Sequence, residues 1–176
     1  KKESLTNKHS SDVDKSAIRN GLRQPKNVYQ QPLQHKQDFC PPTFKHTDAE
    51  RDLIKSALRR NFVFSDLSSR DLQPLIAAFE ICVFAANQTI ISQGEPGDYF
   101  YVIQEGKVKF QVNDKTVGRA GKGNSFGELA LLYKCPRAAT VIASKETRLF
   151  RVDQMTFRFI LQNQTKQSEK EKTDLL

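Results

Sequence analysis

The sequence predicts a mainly β fold, either a sandwich or a barrel, with α-helices before and after it. From Ile81 to Val152 apolar residues recur with a period of two, which is typical of strands that bury one face. Turn sequences that contain glycine separate these short runs at regular spacing. On both sides of this region the apolar period lengthens to that of an amphipathic helix. These observations assign strands to residues 81–152 and helices to residues 47–80 and 153–161.

The first helix is predicted to begin at Thr47, whose hydroxyl can cap the first turn while Glu50 supplies the reciprocal bond of a capping box. It continues for about thirteen residues and packs its apolar face on its own domain. A second helix is predicted to end near Phe79, and Pro74 indicates that its first turn is irregular or late. Asp153 is predicted to cap the terminal helix, which buries Met155, Phe157, Ile160 and Leu161.

Between the helices, turns are predicted at residues 93–98, 105–106, 113–114 and 118–123. The glycines at 121, 123 and 127 fit neither the P-loop nor the dinucleotide-binding spacing, so they are interpreted as turn glycines. The strands between the turns place apolar side chains at positions 81, 83, 90, 91, 99–103, 108, 110, 112, 117 and 141–143, and the last strand is predicted over residues 148–152, with apolar residues at 149, 150 and 152.

The net charge of +8 lies mostly in the N-terminal segment. Residues 1–46 hold nine Lys and Arg against four Asp and Glu, and they show no sustained apolar period. We predict that they form a basic, largely disordered linker or inhibitory tail before a folded domain at residues 47–161. The segment lacks interleaved aromatic residues and a recognition helix, so we predict no nucleic-acid binding. Residues 162–176 are predicted to continue the terminal helix as part of a longer chain.

Several classes of protein are excluded by what the composition lacks. No run approaches the roughly 18 apolar residues of a membrane span, and the first residues do not form a signal peptide. Three scattered cysteines form neither a disulfide framework nor a zinc site, which is typical of a cytoplasmic protein. The three histidines, at positions 9, 35 and 46, fall in the predicted tail. We therefore predict no metal, and a cupin-like enzyme with a histidine metal centre in its barrel is disfavoured.

The candidate binding site is the stretch from residue 126 to residue 141. It holds a carboxylate at Glu128 and a guanidinium at Arg137, and these groups prefer chemically different ends of a ligand. A carboxylate accepts hydrogen bonds from sugar hydroxyls and repels phosphate, whereas a guanidinium binds phosphate oxygens in a fork. Small residues would let the ligand approach the main chain, at Gly127, Ala130, Ala138 and Ala139. The pattern predicts a phosphorylated ribose as the ligand.

This stretch, from here on the cassette (residues 126–141), resembles the phosphate-binding cassette of cyclic-nucleotide-binding domains. The run F-G-E-L-A, the nine-residue gap from Glu128 to Arg137 and the ending P-R-A-A-T-V carry the resemblance. It is similar to the domains of cAMP-dependent protein kinase regulatory subunits and of cGMP-dependent protein kinase, from about Arg60 to Leu161. The resemblance implies an eight-stranded antiparallel jelly-roll β-barrel flanked by helices.

The resemblance also implies roles for individual residues. Glu128 would bind the ribose 2′-hydroxyl with help from the Gly127 N–H, and Arg137 would hold the phosphate with the N–H groups of Ala138 and Ala139. The remaining implied site residues are Asp98, which orients Arg137; Leu129 and Ala130 of the cassette; and Leu131 and Tyr133, which contact a mobile C-terminal helix. Phe110 and Val117 either line the base pocket or belong to the core.

The function that follows is a non-catalytic sensor that binds cAMP and regulates a protein kinase in the same or another chain. Ala138 favours cAMP, because domains that prefer cGMP tend to carry a hydroxyl residue there, whereas Lys134–Cys135 resembles the cGMP-dependent kinase. The alternatives are a cGMP-binding regulatory domain and a relative that has changed its ligand, for example to a nucleoside. A bacterial-type transcription factor is disfavoured, because no helix-turn-helix follows Leu161.

Overall fold

Two antiparallel β-sheets and a set of flanking helices make up the fold of this chain. The computed structural model describes residues 39–65, 67–133, 135–160 and 162–163. The predicted tail up to residue 38, the predicted buried position of Leu161 and the predicted extension over 164–176 lie outside the described residues. The mainly β class with flanking helices, predicted from the sequence, is confirmed.

The elements follow one another in the predicted order. Helix α1 spans Asp48–Arg60, a 3₁₀ turn spans Phe62–Phe64 and α2 spans Ser69–Ala77. The strands are β1 Glu80–Phe84, β2 Thr89–Ile91, β3 Tyr99–Glu105, β4 Lys107–Val112, β5 Lys115–Gly121, β6 Ser125–Phe126, β7 Thr140–Ala143 and β8 Thr147–Asp153. The single-turn helix α3 spans Leu129–Leu132, and residues 154–160 and 162–163 are helical and form α4.

The strands form two sheets of four strands each, in the orders β1-β8-β3-β6 and β2-β7-β4-β5. Every ladder is antiparallel. No ladder among the described strands joins the two sheets, so of the two predicted arrangements the sandwich is observed and a closed barrel is not. The first sheet packs against the helices on its outer face, where the largest group of buried side chains lies.

Both early helices begin with a capping box, which explains where they start. Thr47 and Glu50 exchange the two predicted bonds, from the Thr47 N–H at 2.9 Å and to the Thr47 hydroxyl at 3.3 Å. Ser68 and Asp71 make the same arrangement for α2. Pro74 lies inside α2 and does not delay its start, because the Ser68 capping box sets the first turn upstream of it.

The folded contacts begin before residue 47. His46, which the sequence analysis assigns to the tail, is only 8% exposed and packs edge-on against Phe150, with ring centroids 5.5 Å apart. Phe39 contacts Phe159 at 5.1 Å, and the Phe44 N–H donates to the Ala77 carbonyl at 2.7 Å. One histidine thus belongs to the packed part of the chain, which the polar composition of the surrounding segment conceals.

The described residues include neither a candidate metal site nor a helix that could span a membrane. Across the described ranges, no three His, Cys, Asp or Glu side chains come together in a way that could hold a metal ion. None of the helices within those ranges has the length and apolar character that crossing a membrane requires.

Candidate functional site

A cavity of about 310 Å³ opens where the cassette meets the second sheet. Glu128 and Arg137 both line it, as the sequence analysis predicts for the two ends of one ligand. The structure brings together seven of the predicted site residues at this cavity: Phe110, Gly127, Glu128, Leu129, Arg137, Ala138 and Ala139. Six further lining residues were not named individually. Phe126, Cys135, Pro136 and Val141 lie within the predicted stretch 126–141, whereas Ile91 and Ser125 lie outside it.

The other predicted site residues lie elsewhere. Asp98 and Tyr133 line a neighbouring cavity of about 330 Å³, which shares Cys135 and Pro136 with the first. Leu131 is fully buried in the core beneath the helices. Ala130 lies in α3, and its side chain is outside the described part of the structure.

Val117 does not line the cavity, and its side chain is 63% exposed. A β-bulge explains this position. Phe110 pairs with Gly118 and Gln111 pairs with Thr116, so Val117 is the extra residue of β5. Gly118 therefore takes the inward place opposite Phe110 that simple alternation assigns to Val117.

Arg137 is held in place by main-chain groups on both its side chain and its backbone. Its guanidinium donates to the Tyr99 carbonyl at 2.7 Å and to the Gly127 carbonyl at 3.2 Å. Its N–H donates to the Glu95 carbonyl at 2.8 Å, and its carbonyl accepts from the Gly94 N–H at 2.8 Å. The loop between β2 and β3 thus positions the residue, while a guanidinium, with five N–H donors, retains donors for a ligand.

Burial lowers the pKa of the Arg137 guanidinium, while Tyr101, Asp98, Cys135 and Glu128 act in the opposite direction. The group stays charged at neutral pH, because arginine is not deprotonated in proteins. Asp98 is close enough to contribute to this balance, but it forms no ion pair with Arg137 among the described contacts. The described hydrogen bonds of the guanidinium go to the carbonyls of Tyr99 and Gly127, and the orienting role of Asp98 stays a prediction.

Gly127 is required by its surroundings. Its φ is +88°, and a Cβ at this position would lie 2.9 Å from both Arg137 Nη1 and the Tyr99 carbonyl oxygen. A side chain here would be strained and would displace the guanidinium. The absence of a side chain therefore allows the backbone at residue 127 and Arg137 to approach each other.

Glu128 is half-buried at the N-cap of α3, yet its carboxylate makes no capping bond. Among the described contacts it accepts no hydrogen bond. A half-buried carboxylate without a partner is costly, so it is well suited to accept bonds from a ligand hydroxyl.

Part of the cavity lining is apolar and lies on the second sheet. Ile91 of β2, Val141 of β7 and Phe110 of β4 are neighbours in the strand register and form this apolar wall. Phe126 of β6 also lines the cavity, and its ring stacks on Tyr101, with centroids 5.0 Å apart, and meets Phe110 edge-on at 5.9 Å. Phe110 therefore both lines the cavity and packs on the core, and the wall can accommodate a flat heterocyclic ring.

Comparison with known proteins agrees with this geometry. A family model described as "Cyclic nucleotide-binding domain" matches residues 81–164. The cAMP-dependent protein kinase regulatory subunit of Candida albicans is 41% identical over 121 residues, which cover 69% of this chain and 26% of the relative. That of Eremothecium gossypii is 39% identical over 130 residues, which cover 72% and 28%. The chain thus spans about a quarter of the length of these curated relatives.

Solved structures give the same grouping. The regulatory domain of Toxoplasma gondii PKA with cAMP is 31% identical with a TM-score of 0.59, covering 66% of this chain and 46% of that one. A mutant regulatory subunit of a cAMP-independent protein kinase A from Trypanosoma brucei, bound to cAMP in the A site, is 34% identical with a TM-score of 0.62, covering 69% and 46%. The corresponding Trypanosoma cruzi subunit bound to guanosine is 28% identical with a TM-score of 0.61, covering 68% and 43%.

The matched residues include the whole cassette and all the strands except Glu80, the first residue of β1, so the family resemblance and the cavity coincide. Through residues 81–164 this chain belongs to the cyclic nucleotide-binding domain family, in the form similar to the regulatory subunits of cAMP-dependent protein kinase.

Proposed function

We propose that the cavity binds a cyclic nucleotide, with cAMP preferred, and that the domain is a non-catalytic sensor that regulates a protein kinase. The observation that carries this proposal is the presence of Glu128 and Arg137 in the lining of one cavity of about 310 Å³. The two groups have opposite charge, so they sort the two ends of a ligand that is anionic at one end and rich in hydroxyls at the other.

In this proposal Arg137 binds the cyclic phosphate, and the N–H groups of Ala138 and Ala139 add donors to the same oxygens. Glu128 accepts a hydrogen bond from the ribose 2′-hydroxyl, while the apolar wall at Ile91, Phe110 and Val141 receives the base. A phosphate beside Glu128 would be repelled, so the ligand has one favoured orientation.

The base preference depends on position 138. Ala138 has no hydroxyl to bond the guanine amino group, so guanine gains no contact there that adenine lacks. The alternative of a nucleoside ligand draws support from the Trypanosoma cruzi relative that is bound to guanosine. We favour the cyclic nucleotide, because a ligand without a phosphate leaves the half-buried Arg137 charge without an anionic partner.

Kinase regulation follows from the relatives, which are cAMP-dependent protein kinase regulatory subunits. The alternative is that this chain is the cGMP-binding regulatory domain of a cGMP-dependent protein kinase. The route from ligand to partner is the predicted closure of the cassette and movement of the C-terminal helix. The start of α4 lies near the cassette, which supports this route. The Gln154 N–H donates to the Asp98 carbonyl at 2.8 Å, and both residues line the second cavity together with Tyr133, Cys135 and Pro136 of the cassette.

Three finer assignments belong to the same proposal. The strand orders support a jelly roll, because consecutive strands alternate between the two sheets except for β4 and β5, which are neighbours in the second sheet. The division into a tail up to residue 46, which inhibits or docks on a kinase, and a domain up to residue 161 also belongs to the proposal, with Phe39, Phe44 and His46 of the tail packed on the domain. A cytoplasmic location follows from cysteine usage.

Isothermal titration of the whole chain with cAMP, cGMP and guanosine tests the proposal. We expect cAMP to bind most tightly, and Arg137→Ala to weaken cAMP binding roughly a hundredfold, because a buried charge-assisted bond is lost. Arg137→Lys should recover little of it, since an ammonium lacks the fork. Arg119→Ala on β5, outside the cavity, is the matched control.

Guanosine binding as tight as that of cAMP, unaffected by Arg137→Ala, would establish the nucleoside alternative instead. Thermal melting of each variant without ligand separates lost binding from lost folding. Binding of none of the three ligands below millimolar concentration contradicts the proposal.

A further inference from the structure

One side of the cavity is formed by a short strand, β6, which belongs to the first sheet and is separate from the apolar wall on the second sheet. β6 consists only of Ser125 and Phe126, which pair with Val102 and Tyr101 of β3. Both residues line the cavity, and Gly127 and Glu128 follow them directly. So short a ladder restrains the position of β6 only weakly. The placement of β6 therefore depends on the loop that precedes it, residues 122–124 (the wall loop).

The wall loop is attached to β3 through Asn124 and Gly123, and to helix α1 through Gly123. The Asn124 carbonyl accepts from the Ile103 N–H of β3 at 2.9 Å. The Gly123 N–H donates to the Ile103 carbonyl of β3 at 2.8 Å. The Gly123 carbonyl accepts from Arg60 Nη2, at the C-terminal end of α1, at 2.7 Å. Arg60 Nε also donates to the Ser56 carbonyl at 3.2 Å, which orients the guanidinium toward the loop. Helix α1 is thereby fastened to the segment that leads into the cavity.

The next residue of the helix end adds a second connection. Asn61 caps the 3₁₀ turn by accepting from the Val63 N–H at 3.1 Å. Its amide nitrogen lies 3.5 Å from the hydroxyl of Ser125, which is itself a cavity residue. Two consecutive residues of the helix end therefore point to the wall loop and the strand that follows it.

Space and entropy explain why this contact matters. Gly123 has a φ of +82°, and a Cβ there would lie 3.1 Å from Arg60 Nη2, so the glycine makes room for the guanidinium. A glycine in a loop also has many conformations to lose. A charge-assisted bond to its carbonyl limits them without adding bulk next to the cavity.

We infer that Arg60 is a positioning residue of the nucleotide site, which holds the wall loop so that Ser125 to Glu128 stand in their binding positions. This inference rests on the proposed function. It extends that function by assigning a role to a helix residue that does not line the cavity. Because linkage is reciprocal, occupancy of the cavity stabilises the Arg60 contact and the last turn of α1.

The test compares Arg60→Met with Arg59→Met in the whole chain. Arg59 is a matched control, since it is the preceding exposed arginine of the same helix and donates instead to Ser69 Oγ of α2 at 2.7 Å. We expect Arg60→Met to weaken cAMP binding about threefold to tenfold, mostly through faster dissociation, because it removes one solvent-exposed, charge-assisted hydrogen bond to the wall loop. Arg59→Met should leave the affinity unchanged. Arg60→Lys, which keeps a donor, should restore part of the loss.

Amide hydrogen exchange supplies a readout that a purely structural role would not move. In the unaltered chain and in Arg59→Met, cAMP should slow exchange in residues 58–61 and in the wall loop. In Arg60→Met the slowing in residues 58–61 should disappear. Urea unfolding without ligand verifies that the variants are folded.

The two proposals fail in different ways. Unaltered cAMP affinity together with unaltered slowing in Arg60→Met would overturn the positioning role and leave the proposed function intact. An unaltered chain that does not bind cAMP would contradict the proposed function and, with it, this inference.

Discussion

The two sheets of the sandwich differ in how completely they are covered. In the first sheet the interior strand β3 has both faces packed, because Phe100 and Val102 belong to the core beneath the helices while Tyr101 and Ile103 belong to the core between the sheets. This explains why β3 is buried continuously over these positions instead of alternately. On the edge strand β1, Ile81 and Val83 are exposed. In the second sheet β5 is largely exposed, and only the inner face is packed.

Charge follows the same division. The strands of the first sheet carry acids and bases together, and Arg151 pairs with Glu80 at 2.6 Å. The strands of the second sheet carry four Lys and Arg (Lys107, Lys109, Lys115 and Arg119) and no Asp or Glu. Lys109 even stands directly opposite Arg119. The apolar wall of the cavity is built from this second sheet, and we expect this half of the sandwich to contribute less to stability than the first.

The largest expected effect that tests this comparison is on the core. Phe100→Ala should destabilise the domain by about 3–5 kcal/mol, because a fully buried ring leaves a cavity between the first sheet and the helices. Phe110→Ala in the second sheet should cost markedly less, since that ring is only half-buried. Urea unfolding of both variants measures the difference. Equal losses would show that the two sheets contribute alike.

A second test uses the thiol of Cys82, which lies on β1 of the first sheet. Burial raises its pKa from the ordinary value of 9.0 to about 11, with Arg151 opposing and Glu80 adding to the shift. At pH 8 the thiolate fraction is then roughly a hundredfold lower than for an unshifted thiol. We expect iodoacetamide to modify the exposed Cys40 long before Cys82, as followed by mass spectrometry.

The same shift sets a direction for stability. The folded chain keeps the Cys82 proton more tightly than the unfolded chain does, so stability should fall as the pH rises from about 9 toward about 11. Cys82→Ala should reduce this fall. Comparable alkylation rates at Cys82 and Cys40 in the folded chain would contradict the burial of the first sheet.

The smallest expected effect concerns one arginine from each sheet. Arg151→Met should cost about 1 kcal/mol, because it loses the Glu80 pair and its position over the Tyr99 ring, 4.5 Å from the centroid. Arg119→Met should be neutral or slightly stabilising, since it relieves a like-charge pair across strands. Thermal melting at low and high salt should show the Arg151→Met loss shrinking with salt. A larger loss for Arg119→Met would contradict the comparison.

Features that depend on local spacing could be predicted from the sequence. The capping box of Thr47 and Glu50 needs only residues three apart, and the pairing of Glu128 with Arg137 around one cavity depends on a short, recognisable segment. The strand regions followed from the period of two, because most strands bury one face.

Features that depend on register or on distant partners could not be predicted. Nothing in the sequence around Val117 marks the bulge that exposes it, although Gly118 is the kind of residue that such positions use. The burial of His46 depends on Phe150, more than a hundred positions away. The Arg137 acceptors at Tyr99 and Gly127 are main-chain carbonyls, which every residue possesses and no composition reveals.

The close approach at Gly127 limits how the ligand preference of this domain can change. A Cβ at residue 127 would lie 2.9 Å from both Arg137 Nη1 and the Tyr99 carbonyl oxygen, so a substitution there could reshape this part of the cavity only by displacing the arginine. Variation has room instead where side chains meet the cavity from outside this contact, at positions such as Leu129, Ala138 and Phe110. We therefore expect relatives that bind a different ligand to retain the glycine whenever they retain the arginine, and to differ at the other residues that line the cavity.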